Sequence, residues 1–396
     1  MNWPSGASPT PSPCAVSEMV NEEHIEIAGA GPAGLAAAIT LARAGRRVTV
    51  YEAHEEVGHR FQGDFQGLEN WTSEKDALEV LRDLGLSTDF RHQAMAEGTA
   101  FDAWGKAYAV RSSAPLFYLV ERGPGPGSLD SALLAQARDC GVVVVFGRRL
   151  KHVDGPGILA AGPRAADAIA VGYHCETDMD DGFWVICDDE LAPQGYAYLL
   201  VWDGRATVKS CMFSGFKDEQ HYVARTVEAF QRLLGFEMKN PVPHGGAGNF
   251  HIPHSAYSGC HPLVGEQAGF QDTLWGFGMR LAMDSGILAA RSLLEGSDYD
   301  TLWRHQLLGQ METSVVNRAL YSLLGNRGYR WFLGRMSAHP DPRRFLLRHY
   351  HSSAFKRLLK PWSKRRYESR RKDASCNHEA CGCVWCRCHH PQGQPT

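Results

Sequence analysis

Gly29, Gly31 and Gly34 stand at GxGxxG spacing directly after the short apolar run Ile25 to Ala28, and Glu52 closes the next apolar run. That set is suited to an adenine dinucleotide. Gly29 permits the tight turn, Gly31 lets backbone approach a pyrophosphate, and Gly34 lets helix and strand pack closely. Pro32 and Ala33 open the helix whose N-terminus receives the pyrophosphate, and Glu52 can accept hydrogen bonds from the adenosine ribose.

Two other clusters could carry chemistry. Cys376, Cys381, Cys383, Cys386 and Cys388 crowd the C-terminal tail with His378, His389 and His390. The Cys383-x-x-Cys386 step suits a zinc or iron–sulfur site, and an unmetallated tail is the plain alternative. His244, His251, His254, His261 and Cys260 lie in a stretch rich in Pro and Gly. Its spacing fixes no metal geometry, but a His or thiol there could donate a proton near neutral pH. His24, His54 and His59 read as ordinary polar residues.

The chain has 396 residues, 44% hydrophobic and 21% charged, with a net charge of −3. This describes an ordinary globular protein of two or three domains and points to no polyanionic partner overall. No basic start followed by an apolar core precedes the first strand, and no apolar run reaches transmembrane length. The expectation is a cytoplasmic protein, its eleven Cys thiols or metal ligands, and its sequon Asn70-Trp71-Thr72 without consequence.

The elements that must position these residues read in order. Residues 1 to 21, rich in Pro and Ser, predict a disordered leader. Strand, Ala-rich helix and strand follow to Glu52, then a Gly-punctuated loop through Thr72. A helix over Glu74 to Leu84, strands over 99 to 120, a helix from Ser128 to Cys140 capped by Ser128, and a buried strand from Val142 to Phe146 come next. ILAAG at 158 to 162 is another strand ending in a turn. Residues 168 to 213 alternate as antiparallel sheet with a hairpin at Asp203-Gly204. A helix spans Gln220 to Leu234, residues 240 to 262 form a loop, and helices cover Gly278 to Leu294 and Thr301 to Leu359. The organisation expected is a discontinuous dinucleotide domain (22–70, 120–170 and 255–298) and a substrate domain (71–119 and 171–254). A helical basic segment (299–372) and the Cys/His tail (373–396) follow. No second GxGxxG occurs, so a separate Rossmann site for NAD(P) is not expected.

The fingerprint, ILAAG, and VGEQAG followed by GFGMRLAMDSG are similar in order and spacing to the geranylgeranyl reductase family of FAD-dependent oxidoreductases, within the para-hydroxybenzoate hydroxylase-like flavoproteins. The resemblance covers about residues 22 to 300. It implies an α/β fold with a discontinuous Rossmann-like FAD domain, a mixed antiparallel-sheet substrate domain and a C-terminal helical segment. It places Gly265, Glu266 and Gly269 at the motif usually read GDAAG, with Glu266 where Asp is usual. Gly276 and Gly278 match glycines beside the isoalloxazine, and Arg122 matches an arginine beside the cofactor. Pro193, Gly195 and Tyr196 match the substrate-domain P-x-x-Y, while Tyr198 stands in place of Trp. The GADG motif of the aromatic hydroxylases is Leu159-Ala160-Ala161-Gly162 here, without its acid.

The function this implies is hydride transfer through flavin N5, reducing double bonds of a hydrophobic isoprenoid or lipid-like substrate, with NAD(P)H or ferredoxin as electron donor. Tyr196, Cys260 and His261 are the candidate proton donors. A flavin monooxygenase and a non-catalytic flavin redox sensor are the alternatives. Tyr196, Tyr198 and Trp202 either line an apolar cavity or form sheet core. Arg343 to Lys372 interleaves twelve Lys and Arg with aromatic and aliphatic residues. It reads as a solvated helical face or a dock on an anionic membrane, with nucleic acid the weakest option.

Overall fold

The computed structural model describes residues 24 to 367, apart from 151 and 165. The expected leader and the Cys/His tail, including Cys376, Cys381, Cys383, Cys386 and Cys388, lie outside the described residues.

Strand β1 (His24–Ala28), helix α1 (Pro32–Arg43) and strand β2 (Arg47–Tyr51) form the expected unit. Ala-rich α1 is almost wholly buried, because small side chains let it lie close to the strands and to a second helix. The stretch after Glu52, expected as loop, contains β3 (Phe65–Glu69). Phe65 and Leu68 bury against the core while a partner strand supplies its hydrogen bonds, a pairing that no local period announces. Then come α2 (Ala77–Asp83), β4 (His92–Met95), β5 (Glu97–Asp102), β6 (Ala107–Arg111) and β7 (Phe117–Glu121). α3 (Leu129–Asp139) is capped by Ser128 as expected. β8 (Val143–Val145) and β9 (Gly157–Leu159) complete the parallel sheet β8-β2-β1-β9. β8 is not buried as expected. It is the sheet edge, and Val143 is 56% exposed.

The second layer is a mixed seven-stranded sheet. β10 (Ala168–Glu176), β11 (Gly182–Cys187), β12 (Tyr196–Trp202) and β13 (Arg205–Met212) precede α4 (Glu219–Leu234) and β14 (Lys239–Gly248). The strand order is β14-β10-β13-β12-β11-β5-β6, with β3-β7-β4 as a separate antiparallel sheet. Asp203 and Gly204 both have positive φ, giving the β12–β13 hairpin its tight turn. β14 replaces the expected loop start at 240. Its Pro241 and Pro243 are tolerated because it is an edge strand, where a missing N–H costs little.

A short hairpin, β15 (Tyr257–Ser258) and β16 (His261–Pro262), leads to α5 (Met279–Glu295), which crosses α1. A Cβ on Gly286 would lie 2.1 Å from the Ala33 carbonyl oxygen, so that crossing is backbone on backbone. The last helices are α6 (Tyr299–Gln306), α7 (Leu308–Ser337, kinked at Gly325), α8 (Pro342–Tyr350) and α9 (Ala354–Tyr367). They do not form one separate segment. Tyr299 and Trp303 of α6 belong to the α1–α5 core, whereas Tyr321, Tyr329 and Leu333 of α7 pack with the large sheet. Arg318 is fully buried and donates to the carbonyls of Thr273, Gln194 and Leu274, tying α7 to both layers. Among the described residues no helix is long and apolar enough to cross a membrane. Asn70 of the sequon is buried, bonded to the Pro115 carbonyl and the Ala77 N–H, so it presents no surface to modification.

Candidate functional site

One cavity of about 930 Å³ runs between the two layers. At one end it is bounded by Gly29, Gly31, Pro32, Ala33 and Glu52, and in the middle by Arg122, Gly265, Glu266, Gly276 and Gly278. At the other end Trp71, Phe117, Phe183, Tyr196, Tyr198, Leu333, Met336 and Leu346 form an apolar chamber. Residues far apart in the chain, including all three separated motifs, therefore face a single space.

The dinucleotide end is made largely of backbone. Gly31 caps α1 with no side-chain hydrogen bond, and Gly278 caps α5 in the same way. Both helix N-termini open on the cavity, presenting N–H groups and the positive ends of their dipoles. The three glycines have different reasons. A Cβ on Gly29 would meet the Ala160 oxygen at 2.2 Å, and one on Gly34 the Gly29 oxygen at 2.0 Å, so both serve packing. Gly31 has nothing within 4 Å of such a Cβ and borders the cavity, so the space it leaves free is available to a ligand. These residues fit FAD.

Glu52 accepts from the Ala30 N–H at 2.8 Å and the His54 N–H at 3.1 Å, which fixes its carboxylate at the cavity wall. Glu266 pairs with Arg60 at 2.8 Å. Gly269 does not line the cavity. Its φ of +83° closes the turn after Glu266, and His251 crowds the position a Cβ would take. Gln267, missed in the sequence, accepts the Ala161 N–H at 2.5 Å and ties the ILAAG turn to the glycine turn. Arg122 is buried at the cavity wall. It is 4% exposed, bonds both oxygens of Asp130 and lies over the Phe61 ring.

The candidate proton donors separate. Cys260 is exposed, and His261 bonds the Gly155 carbonyl at 2.9 Å, both on the β15–β16 hairpin and outside the cavity lining. The hairpin turns them outward, so nearness in sequence to the flavin motif did not bring them to the site. His251 and His254 likewise stay outside, and only His244 of that run lines the cavity. Tyr196 does line it, but its hydroxyl donates to the Trp275 carbonyl. Burial raises its pKa well above the usual phenol value, so this proton is poorly available. Tyr198 and Tyr196 do line an apolar chamber, whereas Trp202 packs into the core behind it.

The sequence reading also missed a polar cluster on the chamber wall. Lys209 Nζ lies 2.7 Å from Asp64 Oδ1 and 2.9 Å from His244 Nδ1. His174 Nε2 lies 3.0 Å from the same Asp64 oxygen. Burial acts to raise the Asp64 pKa, but Lys209 and His174 outweigh it and hold the carboxyl well below its usual range. Burial draws Lys209 below the usual ammonium value against the pull of Asp64. Burial, with Lys209 beside it, lowers His244 to about 4, so it is neutral at pH 7. A lysine inside the alternating run of β13 was the available signal.

Comparison with known proteins agrees with this architecture. Residues 27–66 match the NAD(P)-binding Rossmann-like domain. A thiamine thiazole synthase of Thermotoga maritima is 29% identical over 34% of this chain and 52% of its own length. An L-amino acid oxidase of Lachesis muta is 39% identical over 18% of this chain and 16% of its own. The chain thus spans about half or less of these curated relatives. A geranylgeranyl bacteriochlorophyll reductase-like protein from Thermoplasma acidophilum superposes with a TM-score of 0.67 at 16% identity, covering 86% of this chain and 99% of that one. A flavin-dependent brominase gives 0.63 at 16% identity, over 87% and 100%. A 2-methyl-3-hydroxypyridine-5-carboxylic acid oxygenase gives 0.53 at 15%, over 82% and 98%. The chain shares the α/β fold of these solved structures, which include a geranylgeranyl bacteriochlorophyll reductase-like protein and a flavin-dependent brominase.

Proposed function

We propose that the protein is an FAD-dependent oxidoreductase that transfers hydride to a double bond of a hydrophobic, isoprenoid- or lipid-like substrate. The observation that carries this reading is one continuous cavity joining two uncapped helix N-termini to an apolar aromatic chamber. Backbone at Gly31 and Ala33 with Glu52 would hold the adenosine and pyrophosphate, and Gly276 and Gly278 would border the ring. Bound FAD supplies a two-electron carrier whose N5 accepts and delivers hydride.

The chain's own residues do the rest. Trp71, Phe117, Phe183 and Leu346 exclude water and favour an apolar chain. The Tyr196 hydroxyl secures the Trp275 backbone beside the glycines rather than serving as acid. NAD(P)H or ferredoxin is the electron donor in this reading. Peripheral membrane contact draws support from α9, where Phe355 and Leu358 are exposed beside Arg357 and Lys360.

The test is to purify the protein, identify its chromophore, reduce it and add geranylgeraniol. A yellow protein releasing FAD and a product gaining two hydrogens are expected. Oxygen in the product would replace the reductase by a monooxygenase, and colourless protein would reject both.

A further inference from the structure

Strand register lines up one row across the large sheet: His244, Gly172, Lys209, Tyr198, Val185 and Ala100. All of these except Gly172 line the cavity. The row is polar on β14 and β13 and apolar on β11 and β5, so the chamber wall is itself amphipathic. Gly172 makes the close approach possible, since a Cβ there would stand 1.9 Å from the Val208 oxygen.

The hydrogen bonds settle the protonation pattern. His244 Nε2 is 2.9 Å from the Arg60 carbonyl, which can only accept, so Nε2 carries the hydrogen and Nδ1 is bare. Nδ1 therefore accepts from the Lys209 ammonium, and Asp64 accepts its second N–H. An ammonium has three N–H donors. No third partner for Lys209 occurs among the described residues, although its side chain is only 2% exposed. A buried charged donor left without an acceptor is destabilising, so the free N–H calls for an acceptor from a ligand. The potential ligand atoms of Asp64, His174 and His244 lie within 4.8 Å of one another, a metal-like grouping. Lys209 Nζ already bonds two of the three, so the positive charge of this site is supplied covalently.

We propose that Lys209 is the polar anchor of the chamber, donating its third N–H to the carboxylate of an amphipathic ligand whose apolar chain runs toward Val185 and Ala100. This rests on the reading of the cavity as a chamber for a lipid-like substrate and adds the chemistry of the substrate's polar end. A carboxylate matches the site because it only accepts and carries the opposite charge. An alcohol brings a donor and no charge, so it forms the weaker bond.

The test titrates the full chain, as purified, with hexadecanoate and with 1-hexadecanol, following tryptophan fluorescence. Trp71 and Trp275 line the cavity and report occupancy. Hexadecanoate is expected to bind about tenfold more tightly, the size of one charge-assisted hydrogen bond over a neutral one. Lys209→Met should remove that preference, weakening hexadecanoate about tenfold more than hexadecanol. Because this variant strips Asp64 of its cation, Asp64→Asn combined with Lys209→Met is measured alongside and must lose the preference too. Equal binding of the two ligands, no binding of hexadecanoate, or a preference that survives in either variant overturns the proposal. FAD content is measured on the same samples. A yellow protein without carboxylate preference removes only the anchor. Colourless protein that keeps the preference removes the oxidoreductase reading and leaves the anchor standing.

Discussion

The two ends of the cavity are built by opposite means. At the dinucleotide end the wall is backbone: Gly29, Gly31 and two helix N-termini, with Glu52 clasped by the Ala30 and His54 N–H groups. At the chamber end the wall is side chain, drawn from β11, β12 and β13 and from helices α7 and α8. The backbone end needs few residue types at fixed spacing, because only glycine permits such close approaches. The chamber end accepts many sequences that keep volume and polarity. A recognisable motif therefore marks one end, and the other is found only by assembly.

The largest expected effect would break the chamber end. Arg318 is fully buried, and its removal would leave the carbonyls of Thr273, Gln194 and Leu274 without their donor. Arg318→Met should lower unfolding stability by about 3–5 kcal/mol in urea titration. A loss below about 1 kcal/mol would show that α7 is held by apolar packing alone.

The glycine motif offers a sharper contrast. Gly34→Ala places a Cβ 2.0 Å from the Gly29 oxygen and should cost about 1–3 kcal/mol or more by overpacking. Gly31→Ala meets no protein atom within 4 Å and should leave the melting temperature of the flavin-free protein unchanged while reducing flavin content. If Gly31→Ala destabilised the protein as much as Gly34→Ala, the division between packing and binding glycines would fail.

A pH test addresses β3, whose Phe65, Gln66 and Gly67 line the cavity and whose last residue is Glu69. Burial pushes the Glu69 pKa up to about 7, against the opposing pull of Arg280, and one of its carboxyl oxygens is without a partner among the described residues. The raised folded value means that the folded chain holds its proton more tightly than the unfolded chain does. Stability from this group is full below its ordinary pKa and is lost as pH rises to about 7. Glu69→Gln should therefore exceed the parent in stability at pH 8 by on the order of 1–3 kcal/mol, with the advantage shrinking by pH 5. An advantage that is the same at both pH values would place the effect elsewhere.

The smallest effect is expected for Tyr196→Phe, which removes one hydrogen bond to the Trp275 carbonyl. A stability loss of about 0.5–1.5 kcal/mol and little change in substrate turnover would fit a positioning role. A large fall in the rate of alkene reduction, with stability kept, would restore Tyr196 as the acid.

The sequence by itself determined the strand–helix–strand unit from Ile25 to Glu52, the hairpin at Asp203-Gly204 and the alternating sheet around it. These depend on local rules: glycine φ, helix capping and the two-residue period of a strand. Resemblance to a family pattern, rather than local physics, pointed to Gly265, Gly276 and Gly278, and all three line the cavity. Only the tertiary structure decided that Gly34 serves packing while Gly31 faces the cavity, because that difference lies in what Ala160 and Gly29 place opposite each glycine. It decided that Arg122 is buried on Asp130, that β14 pairs as an edge strand, and that Cys260 and His261 turn outward on their hairpin. Lys209, Asp64, His174 and His244 come from four separate stretches and meet only when β10, β13 and β14 pair. A charge network of that kind has no sequence period, since its members are fixed by register across strands, and register is a property of the assembled sheet.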